Sequence, residues 1–487
     1  MGSLTNTSKA KIVAVDTNNK DPNLSISEIP RKLLLIGSAS TDATCKKDTP
    51  IKIKGKKIID SFGIGSALYQ MINGVNNSSN NAFELYAAAI SEDLSAAAST
   101  ADITVTGEAS SNGTLSIYIG GEKVSVVVKT GENADTIHAN IIKAITAQVS
   151  LPVKAADGTN KVTLISKWKG TSANSITLAQ NLTENELSNN PQGITVALGT
   201  FSGGAGDVSL TALLTNLGSE HYTCIATAFT DKTNLDLLMN RAEELFSETE
   251  NKGFYAIGGF NSQKSDYMSF IEGRNDKYFC AFWAEKSPTP TYMIAALTAR
   301  TIENNLAVST ATQLDGAIDG ILQGVSPYRN YDAKDEIVSA GGCTVIYNEF
   351  GEVLFENTRT TFKKADDGSE SAAFSFIQTI AKIQLIQYEL KTTFSKAPYY
   401  KAVLVSDEST PSPDVNAVKP ITAKADVITL IRSWESRGLL NNASSSIDGL
   451  SANIDTSAAG KLLVSMLLYF TSPLNQIEFK IDWTLQL

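Results

Sequence analysis

The last twelve residues, QIEFKIDWTLQL (476–487), constrain the fold most. Ile477, Phe479, Ile481, Trp483, Leu485 and Leu487 share one face of an extended chain, and Glu478, Lys480, Asp482, Thr484 and Gln486 share the other. A period of two over this length predicts a β-strand with one apolar face. No hairpin partner follows it, and chain ends stay ordered only where they are tied down. The strand is therefore expected either to close a sheet of its own domain or to add to the sheet edge of a neighbouring subunit. In the second case backbone hydrogen bonds supply affinity and alternate side chains fill pockets. At the other end, AKIVAVDT (10–17), with Ile12, Val13 and Val15, is a short apolar stretch set apart by NNKDPNLSISEIP. It reads as a second linking strand or as a tail.

Between these ends the pattern is mixed α/β. RKLLLIGSAS (31–40) predicts a buried strand ending in a turn, FGIGSALYQM (62–71) a helix with Ile64, Leu68 and Met71 on one face, and FELYAAAI (83–90) a second strand. The texture changes near LSAAAST (94–100). TLSIYIGGEKVSVVVK (114–129) alternates on both sides of Gly120 and Gly121, the signature of a hairpin. A helix over 135–147, a strand over 161–168 and the short apolar runs SITL and ITVAL follow, before the glycine-rich GTFSGGAG (199–206). From 208 strands and helices alternate again: strand 222–229, helix 233–248 with Leu235, Leu238, Ala242 and Leu245 on one face, strands GFYAIGGF and YFCAFWAE, and helix 291–306. A hairpin turning on Glu349, Phe350 and Gly351 opens the last block, which continues with helices over 374–394 and 426–438, Gly438 standing where a C-terminal cap belongs.

The predicted architecture is a multidomain α/β (α+β) chain, as its 487 residues also require. Residues 1–30 form an extended N-terminal arm, 31–97 and 201–341 a discontinuous α/β middle domain, 98–200 an inserted mostly-β domain, 342–475 a C-terminal core domain, and 476–487 a linking strand. The insertion is expected to be dispensable for assembly.

Charge and composition narrow the function. Lys and Arg number 41 against 51 Asp and Glu, a net charge of -10 that argues against a general nucleic-acid binder. The short basic clusters, KKD (46–48) and KIKGKK (52–57), read as a solvated loop or edge strand. Cys45, Cys224, Cys280 and Cys343 lack a repeated spacing, which fits a reducing compartment. The N-terminus lacks the charged start and apolar segment of a signal peptide, and KLLVSMLLYF (461–470) is far shorter than the about 20 residues a membrane-spanning helix needs, so no membrane insertion is expected.

The same residues offer few candidates for chemistry. Gly63 and Gly65 occupy the first two places of a dinucleotide-binding turn, but Leu68 stands where the third glycine lets helix and strand pack closely. The strand also ends some two dozen residues earlier rather than directly before the turn, and no GxxxxGK[ST] occurs. His138 and His221 are the only histidines; His221 and Cys224 form an HxxC pair, yet Cys280 and Cys343 add no partner at ligand spacing, and no GxSxG is present. The carboxylate pairs Glu243/Glu244 and Asp366/Asp367 read as solvated surface. No catalytic residue, metal ligand or cofactor is expected.

The order of these segments resembles the contractile tail sheath proteins of Mu-like bacteriophages. RKLLLIG with FGIGSALYQM and FELYAAAI resembles the family's N-terminal block, and GTLSIYIGGEKVSVVVKTGENADTIHANIIKAI leading to KVTLISKWKGTSANSITL resembles its inserted β domain. FSGGAGDVSL, HYTCIATAFTD and PTPTYMIAALTAR resemble its middle section, and GGCTVIYNEFGEVLFENTRTTF resembles its most recognisable hairpin, ending in Arg359, Thr360 and Thr361. SWESRGLLNN and the terminal strand complete a match over nearly the whole chain. The chain departs from the family in its Ser- and Ala-rich stretch 441–460, where Arg and Asn are usual, and a tube-facing helix in this part has no assigned residues.

The resemblance implies a non-enzymatic subunit that polymerises as helically stacked hexameric rings around a tail tube and contracts to drive the tube through the host envelope for genome delivery. It further implies an outward-facing insertion and neighbours tied together by terminal strands. Partners would be further copies of itself, the tail tube protein, and baseplate and tail terminator proteins, with no direct contact to nucleic acid. The protein would reside in the virion tail after assembly in the host bacterial cytoplasm. The sheath of a phage-derived injection machine, such as a contractile bacteriocin or a secretion-type system, stays open as an alternative. So, from a different class, does an α/β nucleotide-binding enzyme using Gly63 and Gly65.

Overall fold

The computed structural model describes residues 29–77, 81–93, 95–324, 329–457 and 460–484. Its chain-order start is a parallel layer. Strand β1 (Lys32–Gly37) is apolar through Leu33–Ile36, all fully buried, as a strand covered on both faces must be. Strand β2 (Ile51–Lys52) is short and antiparallel to β3 (Glu84–Ala89), which lies parallel to β1 with Leu34 opposite Tyr86. Helix Ala67–Asn76, between β2 and β3 in the chain, packs on β1 and β3, its N-terminus closed by the Ser66 hydroxyl accepting from the Tyr69 N–H.

The next seven strands belong to two antiparallel sheets. They are β4 (Ala98–Gly107), β5 (Gly113–Ile119), β6 (Glu122–Val128), β7 (Val153–Gly158), β8 (Lys161–Lys169), β9 (Leu178–Gln180) and β10 (Ile194–Leu198). One sheet runs β10-β4-β8-β7 and the other β6-β5-β9. The hairpin read from alternation is β5–β6, with Ile119 opposite Glu122 across Gly120 and Gly121, both at positive φ (61° and 84°) as a two-residue turn between twisted strands demands. Leu115, Ile117, Ile119, Val124, Val126 and Val128 are all buried, and helix Ala134–Ala147 packs against β6.

The chain then returns to the first sheet with β11 (Cys224–Thr227), β12 (Tyr255–Phe260) and β13 (Phe279–Trp283), completing the order β13-β12-β11-β1-β3-β2, parallel except for β2. Helix Lys232–Leu245 buries Leu235, Leu238, Ala242 and Leu245, the stripe expected from its spacing. Helix Thr291–Val308 packs against β11, β12 and helix Ala67–Asn76. It is fastened by fully buried Glu303, which accepts from Thr223 Oγ1 at 2.8 Å, from the Tyr255 hydroxyl, and from Arg31 Nη1 at 3.4 Å. Burying this side chain is tolerated because both of its oxygens meet donors.

The last block opens with β14 (Thr344–Tyr347) and β15 (Val353–Asn357), the expected hairpin, with Gly351 at φ 78° in its turn. Helices Ile377–Phe394 and Pro420–Ser436 follow. The second begins six residues before the expected 426, because Pro420 occupies its first turn, where a missing N–H costs nothing. It ends as expected: Gly438 at φ 73° donates to Glu435 O at 2.8 Å, and Leu439 donates to Trp434 O at 2.9 Å.

Two cores result. A large one runs continuously through the main sheet, both sheets of the 98–198 region and the hairpin; a small one gathers Leu385, Ile386, Val427, Leu430, Ile431 and Trp434 around the last two long helices.

Candidate functional site: the roots of the chain ends

Both described chain ends are rooted in the small core. Ile29 is 8% exposed and packs within it, while Arg31, two residues on, pairs with Glu303 of the large core. The candidate N-terminal strand residues Ile12, Val13 and Val15 lie outside the described residues.

At the other end the chain is pinned at Thr471. Its N–H donates to Leu439 O at 3.1 Å and its hydroxyl to Gly438 O at 2.7 Å, so the glycine cap of the preceding helix doubles as the seat of the departing chain. Just upstream, Asn441 donates to Tyr469 O at 2.8 Å, and Leu440 and Phe470 form a β-bridge. Lys382 Nζ, on helix Ile377–Phe394, donates to both the carbonyl and the hydroxyl of Thr471 at 2.7 Å. The Lys382 side chain is fully buried, and burial pulls its pKa down to about 8. Among the described residues no carboxylate pairs with it, so holding Thr471 is the interaction that offsets its desolvation.

Close by, Glu389 accepts from Trp434 Nε1 at 2.6 Å and from both terminal nitrogens of Arg437 at 2.8 Å, locking the two helices that flank this root.

Beyond Thr471 the arm leaves the body. Among its described residues one side chain bonds to the body, Gln476 to the Tyr331 hydroxyl at 3.3 Å. Ile477, Phe479, Ile481 and Trp483 are 66%, 82%, 81% and 78% exposed, and this stretch has no ladder partner within the described chain. Leu485 and Leu487 lie outside the described residues. Four large apolar side chains left in water on one extended segment forgo about 1.5–3 kcal/mol each relative to burial, a standing drive to dock.

The candidate chemical sites are occupied by packing. At φ 86°, Gly63 approaches Ser40 so closely that a Cβ would lie 1.6 Å from its hydroxyl; at φ 84°, Gly65 would place one 2.2 Å from Leu151 O. The helix start beyond them spends its donors internally, on the Ser66 hydroxyl and, from the Leu68 N–H, on Ser38 O at 3.1 Å. His138 Nε2 accepts from the Val105 N–H at 3.0 Å, and His221, its pKa lowered by burial, lies 2.9 Å from Gly253 O. Cys224 is buried in β11, while Cys280 and Cys343 are free thiols with sulfurs 3.6 Å apart. Among the described residues no three His, Cys, Asp or Glu side chains gather as metal ligands, and no helix is long and apolar enough to cross a membrane.

The residues that build the root, Lys382, Glu389, Arg437 and Glu303, were missed in the sequence. One signal was available: Lys382 interrupts the apolar run FSFIQTIAKIQLIQYEL at a position whose helical neighbours are buried.

No family model matches the chain. A curated relative, the Mu-like prophage FluMu tail sheath protein of Haemophilus influenzae, is 24% identical over 414 residues, 84% of each chain. This bears out the resemblance carried by the ordered sequence blocks. Among solved structures, the sheath tail protein of Desulfitobacterium hafniense has 14% identity and a TM-score of 0.46 over 94% of this chain and all of its own. That of Listeria innocua has 9% identity and a TM-score of 0.44 over 91% of this chain and 95% of its own.

Proposed function

We propose that this chain is the structural subunit of a contractile phage tail sheath. It polymerises as helically stacked hexameric rings around a tail tube and contracts to drive that tube through the host envelope for genome delivery. The observation that carries the assembly reading is the C-terminal arm: an alternating apolar segment, exposed and without a ladder partner, leaving a body that pins it at one defined residue. The Haemophilus relative supports the sheath class over the alternatives of an injection machine or an enzyme.

Mechanically, the arm joins a neighbour's sheet edge through its backbone, and its apolar face is buried there. Because donor and acceptor surfaces differ, the contact is heterologous and repeats without closing on a pair, which generates rings and helices. Contraction is a collective repacking of globular faces from a metastable state while the arms hold neighbours together, its release set by a kinetic barrier. No residue need act on a nucleotide. Residues 31–97 with 201–341 serve as the middle domain, 98–200 as an outward-facing insertion and 342–475 as the core that bears both arms. Partners are further copies, the tube, baseplate and terminator proteins, with assembly in the host cytoplasm and residence in the virion tail.

Negative-stain electron microscopy of the purified protein across a concentration series tests the reading. Striated hollow tubes or stacked rings are expected. Uniform small particles at every concentration, also in the presence of tube protein, would overturn it.

A further inference from the structure

The chain is acidic overall, yet residues 46–57 carry six lysines against one aspartate. Of these, Lys52 pairs with Glu84, and Asp48 is engaged by Ser91. Lys46, Lys47, Lys54, Lys56 and Lys57 form no ion pair among the described residues, and all but half-buried Lys47 are exposed. Among the described residues no acidic side chain pairs with these charges. Lys56 and Lys57 open the helix Lys56–Asp60, where positive charge opposes the helix dipole, and Gly55 before it has nothing within 4 Å of where a side chain would begin. Guarding the sheet edge is served by Lys52 alone, the one lysine within β2.

Hydrogen bonds tie the residues leading into this basic segment to the turn that follows it and to Lys167. Thr44 and Cys45 donate to Ser61 O at 2.8 and 3.0 Å, Thr41 donates to Lys167 O at 3.2 Å, and Lys167 Nζ reaches Ile64 O at 3.2 Å and Val149 O at 2.6 Å. Ile64 and Val149 are 40% and 63% exposed. Lys154, which forms no ion pair among the described residues, is near enough to Lys167 and Asp42 to perturb both: it lowers the pKa of Lys167, chiefly set by burial, and that of Asp42, chiefly set by the Ser40 hydroxyl. Along the chain the lysines of 46–57 lead directly into the turn that exposes Ile64, which gives this face an apolar part beside a charged rim, as at an interface.

We propose that this face docks against an acidic surface of a second copy of the chain. The occupant follows from charge: outside residues 46–57 the chain carries an even larger acidic surplus, so like copies repel except where this face meets another copy's acidic exterior. The proposal rests on the sheath reading and adds to it a contact separate from the arm.

The test is full-length protein carrying Lys54→Glu, Lys56→Glu and Lys57→Glu together, all at exposed positions, with a thermal melt to confirm folding. Assembly is followed by sedimentation and electron microscopy between roughly 50 and 500 mM salt, a range over which the screening length falls from about 14 to about 4 Å. The wild type should assemble less readily as salt rises, and the variant should need at least about tenfold more protein to assemble at low salt. A variant that folds and assembles at the wild-type concentration and salt dependence overturns this contact while leaving the sheath reading intact. Wild-type protein that fails to assemble under any condition overturns the sheath reading itself. A variant that forms normal sheath but no longer holds a tail tube protein overturns the second copy as occupant.

Discussion

At the scale of single residues, Lys382 and Gly65 decide most. Lys382 is buried without a carboxylate and bonded to Thr471, so Lys382→Met should leave the fold intact while loosening the arm root. Losing those bonds, worth about 1–1.5 kcal/mol, should speed amide exchange at Thr471 and Asn441 by roughly tenfold. The pH dependence has a definite sign. Native Lys382 gives up its proton near pH 8, whereas an unfolded lysine holds it to about 10.4. Between these values the unfolded chain binds more protons, so wild-type stability should rise with pH relative to the Met variant, as paired thermal melts would show. A parallel course would mean that Lys382 is solvated. Gly65→Asp drives a side chain into the Leu151 carbonyl and should cost about 2 kcal/mol or more. Equilibrium dialysis of the wild type with ATP or NAD should show no saturable binding; binding abolished by this substitution would return the turn to nucleotide chemistry. The turn was legible as glycine-dependent from the sequence. That Gly65 serves close packing against the Leu151 carbonyl depends on a partner far along the chain.

At the scale of elements, arm and insertion behave oppositely. Deleting residues 477–487 removes a segment whose described side chains (477–484) are all exposed, so stability should change by no more than about 0.5 kcal/mol while polymerisation is lost. Misfolding of the truncated chain would assign the segment to its own domain. The insertion was expected to be dispensable, and its buried contacts argue otherwise. Trp168, fully buried, meets Tyr292 edge to face at 5.8 Å, and the hydrophobic cluster of the main sheet continues into the 98–198 sheets. Removing residues 98–200 should therefore expose core surface and give insoluble or non-cooperatively melting protein. A soluble, assembling deletion variant would show that the rest of the core closes without it. The β5–β6 hairpin was readable because alternation and Gly120-Gly121 are local signals; its union with the main core was not, since the residues that join the two lie far apart in the chain.

At the scale of the whole molecule, the cores divide the work. The large one makes a rigid α/β body, and the small one carries both described chain ends, Ile29 within it and Thr471 bonded to its Leu439. Under the proposed function, links between copies would leave from a compact unit whose core is separate from that of the insertion, so that globular faces could repack while the links persist. The apolar residues around the 46–57 segment pack on the large core, so in the proposed sheath the arm and the basic face would be free to change separately.

The sequence alone determined the kinds of elements: apolar runs for parallel strands, period-two segments for antiparallel strands and the arm, helical stripes, and the Gly438 cap. These signals are local, because burial periodicity and backbone conformation are properties of a few consecutive residues. Tertiary structure decided which charges were buried and what they hold. Lys382 on Thr471, Glu303 beneath Arg31 and Tyr255, and Glu389 between Trp434 and Arg437 join residues 45–272 positions apart. The reason is physical: a charge survives burial only beside its donors or acceptors, and those partners are chosen by packing, which periodicity along the chain does not encode.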